Sequence, residues 1–126
     1  MTQKIGLATL LFVAMMAALY AVAPKAQDAQ SVGMRAAREL LREPSSAEFR
    51  DVQSHTSRGG ELQAICGHIR GKNLFGVMAD YVGFVAVVRN RNDQMEIAAL
   101  ALEDVLARDS YDEAKRRYCH AGFAFY

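Results

Sequence analysis

Residues 5–23 form an unbroken uncharged stretch rich in Leu, Ala, Met and Val, and this feature decides how much of the chain is left to fold. An apolar run of about 18 residues or more can cross the hydrocarbon core of a bilayer as a helix. The positive end at Lys4, the apolar middle and the small residues Ala21 and Ala23 also fit a secretory signal. Two details lean towards an uncleaved anchor. The stretch exceeds the roughly 7–15 apolar residues of a signal peptide, and Pro24 constrains the backbone just beyond the Ala-Val-Ala site. Anchor and cleaved signal both stand, with a buried core helix a minor third reading. Either of the first two predicts that the remainder lies outside the cytoplasm, at the periplasmic face of the inner membrane or free in the periplasm. The rest of a 126-residue chain suffices for one domain.

Apart from Lys4, all of the 15 Lys and Arg and all of the 14 Asp and Glu follow this stretch, so the outer part is formally neutral. A nucleic-acid binder would carry a basic face or stripe. Arg35, Arg38 and Arg42 recur at helical spacing, but Glu39 and Glu43 interleave with them, as on a solvated face with local ion pairs. No nucleic-acid partner is expected.

The pattern predicts an α+β domain: a small antiparallel sheet of three to four strands, packed by an N-terminal and a C-terminal helix and preceded by the hydrophobic helix. Residues 1–23 are the signal or anchor, 24–30 a polar linker and 31–126 the domain. Ala29, Val32, Ala36 and Leu40 predict one apolar helix side over 28–42, stopped by Pro44. Ser45 with Glu48 reads as a capping box for a single turn, with Phe49 as a plug where a strand begins. Residues 50–57 read weakly as a strand, Gly59-Gly60 as a hairpin turn and 61–70 as the returning strand. Residues 71–76 are a loop, 81–89 a strand apolar on both faces, and 90–93 a polar turn. The stretch 95–107 is open between helix, on propensity, and a fourth strand. Ser110 with Glu113 reads as a second capping box, on a helix lined by Tyr111, Ala114 and Tyr118.

The chain has two cysteines, Cys66 and Cys119. In an oxidising compartment an even count argues for a disulfide. Two buried thiols are a second reading, and a zinc site built from Cys66, His68, Cys119 and His120 a third, although its spacings match no common finger. His55 reads as a surface strand residue. Gly71-Lys72-Asn73 fails as a phosphate loop, because only three residues separate Gly67 from Gly71 and no Ser or Thr follows the lysine. No serine sits in a nucleophile elbow, and the carboxylate pairs Glu103-Asp104 and Asp112-Glu113 read as capping groups at helix starts or turns. No catalytic residue, cofactor or metal is expected.

The ordered set Pro44-Ser45-Ser46-Ala47-x-Phe49-Arg50-Asp51-Val52, Cys66-Gly67, Lys72-Asn73-x-x-Gly76 and Tyr81-Val82-Gly83-Phe84 resembles a known pattern. It is similar to that of a widespread, uncharacterised group of small exported or lipoprotein-like proteins of proteobacteria and their phages. The resemblance covers roughly residues 40–119. It implies a strand over 95–101 and a Cys66–Cys119 pairing, and carries no activity with it. The segment between Gly76 and Tyr81 departs from the group in its length.

The leading expectation is a non-catalytic domain, exported or membrane-anchored, that binds an envelope component or partner protein. Lys72, Asn73 and Gly76 are its candidate binding residues: glycine-freed amides, a charge and an amide side chain in one loop. The plainer reading is that Asn73 and Gly76 meet the turn's backbone demands. The competing class is an enzyme acting on an envelope polymer through Lys72 or His68 with a nearby carboxylate. A third reading makes the span itself, with its alanine-rich side, the interaction element.

Overall fold

The computed structural model of the protein describes residues 28–104 and 108–125. The predicted span at 5–23 lies outside the described residues, and none of the helices among them is long and apolar enough to cross a membrane. The first helix, α1 (Ala29–Glu39), is followed by a 3-10 turn (Pro44–Ser46) and then by strands β1 (Glu48–Thr56), β2 (Leu62–Arg70), β3 (Val82–Arg91) and β4 (Gln94–Leu102). The second helix, α2 (Arg108–Tyr118), comes last. The strands form one antiparallel sheet in the order β1-β2-β3-β4. The predicted α+β class holds, and the ambiguous stretch 95–107 is strand as far as Leu102, while its residues 105–107 lie outside the described residues. Propensity yields there to pairing, because apolar β3 needs a neighbour on its second side.

Strand alternation sorts the core into two layers. Ile65, Ile69, Phe84, Ala86 and Val88 point to one face, which α1 covers. Leu62, Ala64, Val85 and Val87 point to the other, where Tyr111, Tyr118 and Phe123 pack on them. Helix α1 lies close because Gly33 faces the sheet; an added Cβ there would stand 2.7 Å from Ile65 Cγ1. The buried line of α1 is therefore Ala29, Gly33 and Ala37, rotated from the expected one, and Leu40 is half exposed. The helix begins inside the stretch read as linker, with Asp28 accepting a 2.7 Å hydrogen bond from Ser31 N.

Neither capping box forms as read. Glu48 sits in β1 and pairs with Arg70 at 2.7 Å, while Ser46 donates to Glu43 O at 2.6 Å. Ser110 lies within α2, and Glu113 pairs with Arg117 one turn on. Glu103 caps no helix either: it accepts from Gly83 N at 3.1 Å and closes the end of the β3–β4 pair.

The helices run in opposite senses. Gly33 lies over Ile65 and Leu41 against Gly71, so α1 follows the direction of β2. The chain thus enters the domain at the end that carries the β1–β2 hairpin. Tyr111 lies on Gly83 at the other end, and α2 returns to bond Cys119 to Cys66. The C-terminal residues then dock beside the hairpin, with Arg58 N donating to Phe123 O at 2.9 Å and Gly122 N to Thr56 O at 2.9 Å.

Candidate functional site

The segment between β2 and β3 leaves the sheet as a braced finger. Lys72 and Met78 form a backbone bridge, and Ala79 N donates to Gly71 O at 3.0 Å. At the tip, Asn73 N donates to Val77 O at 2.9 Å and Gly76 N to Asn73 O at 3.0 Å. The Asn73 side chain accepts from Phe75 N at 2.9 Å and from Val77 N at 3.1 Å. Gly76 has φ 72°, a left-handed value that glycine adopts without strain. The base is tied to the 3-10 turn, where Ser46 Oγ accepts from Lys72 N at 2.8 Å. Tyr81 closes the segment, with Arg50 Cζ 4.2 Å and Arg70 Cζ 4.6 Å from the centre of its ring.

What this frame holds out is apolar. Phe75 is 86% exposed, Leu74 68% and Val77 59%. Of the residues singled out in the sequence, Asn73 and Gly76 build the turn, and Lys72 stands exposed at its base. The sequence reading overlooked Leu74, Phe75 and Val77. Their signal was a Leu-Phe pair inside a Gly/Asn turn, where polar side chains are the norm. The charges at this end are mixed: Arg42, Arg50, Arg70 and Lys72 share it with Glu43, Glu48 and Asp80.

A second feature lies on the α2 face. The Cys66–Cys119 disulfide spans 6.1 Å between Cα atoms and 53 positions of sequence. Beside it is a cleft of about 260 Å³ between α2 and strands β1 and β2. Asp51, Gln53 and His55 line it from β1, His68 from β2, and Tyr111 and Lys115 from α2. The wall from β1 is shaped by a bulge between Arg50 and Gln53, where Asp51 has φ 54°. Gly67 lies against this bulge; an added Cβ would stand 3.0 Å from Val52 Cα. His68 Nδ1 is buried without a hydrogen-bond partner. Burial pushes the Tyr111 hydroxyl pKa up, and the charges of Glu103 and Asp112 add to the rise.

The disulfide consumes both thiolates that the zinc reading required, and His120 Nδ1 lies 3.3 Å from Ala121 O. Among the described residues no three His, Cys, Asp or Glu side chains gather as a metal site. His55 lies half-buried in the cleft rather than on the open surface. Two larger hollows, of about 410 and 440 Å³, lie around Arg58 and the C-terminal residues up to Phe125.

The fold and these two features define a disulfide-closed α+β domain with a helix on each face of a four-stranded antiparallel sheet. Comparison with family models, with curated proteins and with solved structures finds no match for this chain.

Proposed function

We propose that the protein is a non-catalytic domain, exported or held at the membrane by residues 5–23, that binds a partner protein of the cell envelope through the finger at 74–77. The observation that carries this reading is the exposure of Leu74, Phe75 and Val77 on a braced turn. Contiguous exposed apolar groups mark interaction sites, and an aromatic anchor entering a pocket is a common centre of binding energy. Bracing matters as much as apolarity. A turn already held by Asn73 loses little conformational freedom on binding.

The mixed charge around the finger favours a protein over an anionic lipid surface, which selects for clustered Lys and Arg. Placement agrees with this. The chain enters the domain at the hairpin end, so an anchor at 5–23 presents the finger at the opposite end. The disulfide suits an oxidising compartment outside the cytoplasm. The resemblance to small exported proteins of proteobacteria points to the same location. Of the two residues open to an enzyme reading, Lys72 stands exposed at the base of the finger, and His68 lies with Asp51 in the cleft on the α2 face.

The test is site-specific photocrosslinking in the native host, with a benzophenone side chain at position 75 and, as the control, at position 92 in the β3–β4 turn. The expected result is one discrete protein adduct from 75, absent from 92 and weakened by Asn73→Ala. Adducts to lipid alone, equal protein adducts from both positions, or no adduct would overturn the reading.

A further inference from the structure

The cleft beside the disulfide has no part in the finger's binding, yet several of its features are unspent on the fold. Lys115 makes no ion pair or side-chain hydrogen bond among the described residues, and neither does Gln53 or His55. His68 Nδ1 is buried and unbonded. Leaving such an atom unsatisfied is unfavourable, and native proteins do so rarely and at particular places. Asp51 adds a second irregularity. A non-glycine residue in the left-handed region at a bulge is strained, and bulges of this kind re-aim side chains next to sites. Gly67 makes room for that bulge, so the shape of this wall is written into two strands.

The chemistry of the walls names a ligand class. Donors dominate: the Lys115 ammonium, the Gln53 amide and the two imidazoles can all give hydrogen bonds to an oxyanion. The one carboxylate on the wall, Asp51, is exposed, its Oδ2 lying 3.8 Å from Arg50 Nε, so solvent screens its charge. The volume of about 260 Å³ falls below the roughly 300–1,000 Å³ typical of pockets that enclose a whole drug-sized molecule. Asp51, Gln53 and Lys115 are exposed, so one side of the cleft is open to solvent. A small, open, donor-lined cleft suits the end of a ligand whose remainder stays outside.

We propose that this cleft is a second, independent binding site that takes a terminal oxyanion, a carboxylate or a phosphate, of a small molecule or chain end. Lys115 supplies the fixed charge, and Gln53, His55 and His68 supply directional hydrogen bonds. The test is a two-dimensional NMR titration of the purified, disulfide-bonded protein with N-acetylalanine and, separately, with inorganic phosphate. A saturable response centred on Gln53, His55, His68 and Lys115 is expected from at least one probe. Response to N-acetylalanine alone assigns a carboxylate end; response to phosphate alone assigns a phosphate group. Lys115→Gln should weaken binding roughly tenfold or more, as expected for loss of a charge-assisted hydrogen bond. Lys115→Arg should retain most of it, and Arg116→Gln and Phe75→Ala should leave it unchanged. Failure of both probes, or a response indifferent to Lys115→Gln, would overturn the proposal without touching the finger.

Discussion

Gly83 shows how one missing side chain fixes an element. A methyl group built at this position would overlap the Tyr111 hydroxyl, so the α2 face closes only because β3 has no side chain there. Gly83→Ala should cost about 1–3 kcal/mol, the usual range for overpacking a filled site. Denaturant titration is the check. Combined with Tyr111→Leu, the loss should be less than additive, since both changes act on one contact. Tyr111 also makes a pH prediction. Its pKa is raised above the ordinary 10.0, mainly by burial. The folded state therefore holds the phenolic proton more tightly than the unfolded chain does. That contribution is complete below pH 10.0 and is lost as pH climbs through the folded value. Tyr111→Phe should flatten the fall in stability above that pH, and equilibrium unfolding of both proteins across the alkaline range measures it. A parallel fall in both would assign the alkaline loss to other groups.

Among the elements, α2 depends most on covalent help. Its face of the sheet carries small residues, Ala64, Ala99 and Ala101, and the packing is completed by Phe123 from beyond the helix. The disulfide fastens the C-terminal end of α2 to β2. Closing a loop of this length restricts the unfolded chain by about 4 kcal/mol in the chain-entropy account. The Cys66→Ala/Cys119→Ala variant should lose a comparable amount. Hydrogen exchange should speed up more in α2 and the C-terminal residues than in α1, which has its own layer. Uniform loss of protection would mean that the two layers open as one. This dependence also explains what could be read from the chain beforehand. Strands β2 and β3 were legible because Val, Ile and Phe alternate or run continuously there. The span of α1 was nearly legible too, but its buried line was not: Gly33 faces the sheet for reasons of close approach, which no hydrophobic pattern records. Both capping boxes failed because serine three residues before glutamate recurs wherever polar residues are dense, and Arg70 offered Glu48 a better partner. Of the candidate site, the loop was legible from its glycines and Asn73. The cleft was not, since Gln53, His68 and Lys115 come from three separate elements that only the fold brings together.

At the scale of the molecule, the two ends differ. Chain entrance, hairpin turn and C-terminal residues gather at one end, with the finger, the 3-10 turn and the Arg50–Tyr81–Arg70 cluster at the other. An apolar finger invites comparison with loops that dip into bilayers, and the alternatives separate cleanly. If the finger docks on protein, attachment to membranes rests on residues 5–23 alone. Vesicle flotation should then find the full chain with the vesicles and a form lacking residues 1–27 in the soluble fraction, at neutral pH and moderate salt. Phe75→Ala should change neither result. Dipping into lipid predicts the reverse: the shortened form floats and Phe75→Ala releases it, because burying a Phe side chain gains about 1.5–3 kcal/mol. Three exposed apolar residues, beside basic groups that are interleaved with acidic ones, amount to a single weak membrane signal, and stable attachment takes two. The same three residues, held by Asn73 in one conformation, are enough to form the centre of a protein interface.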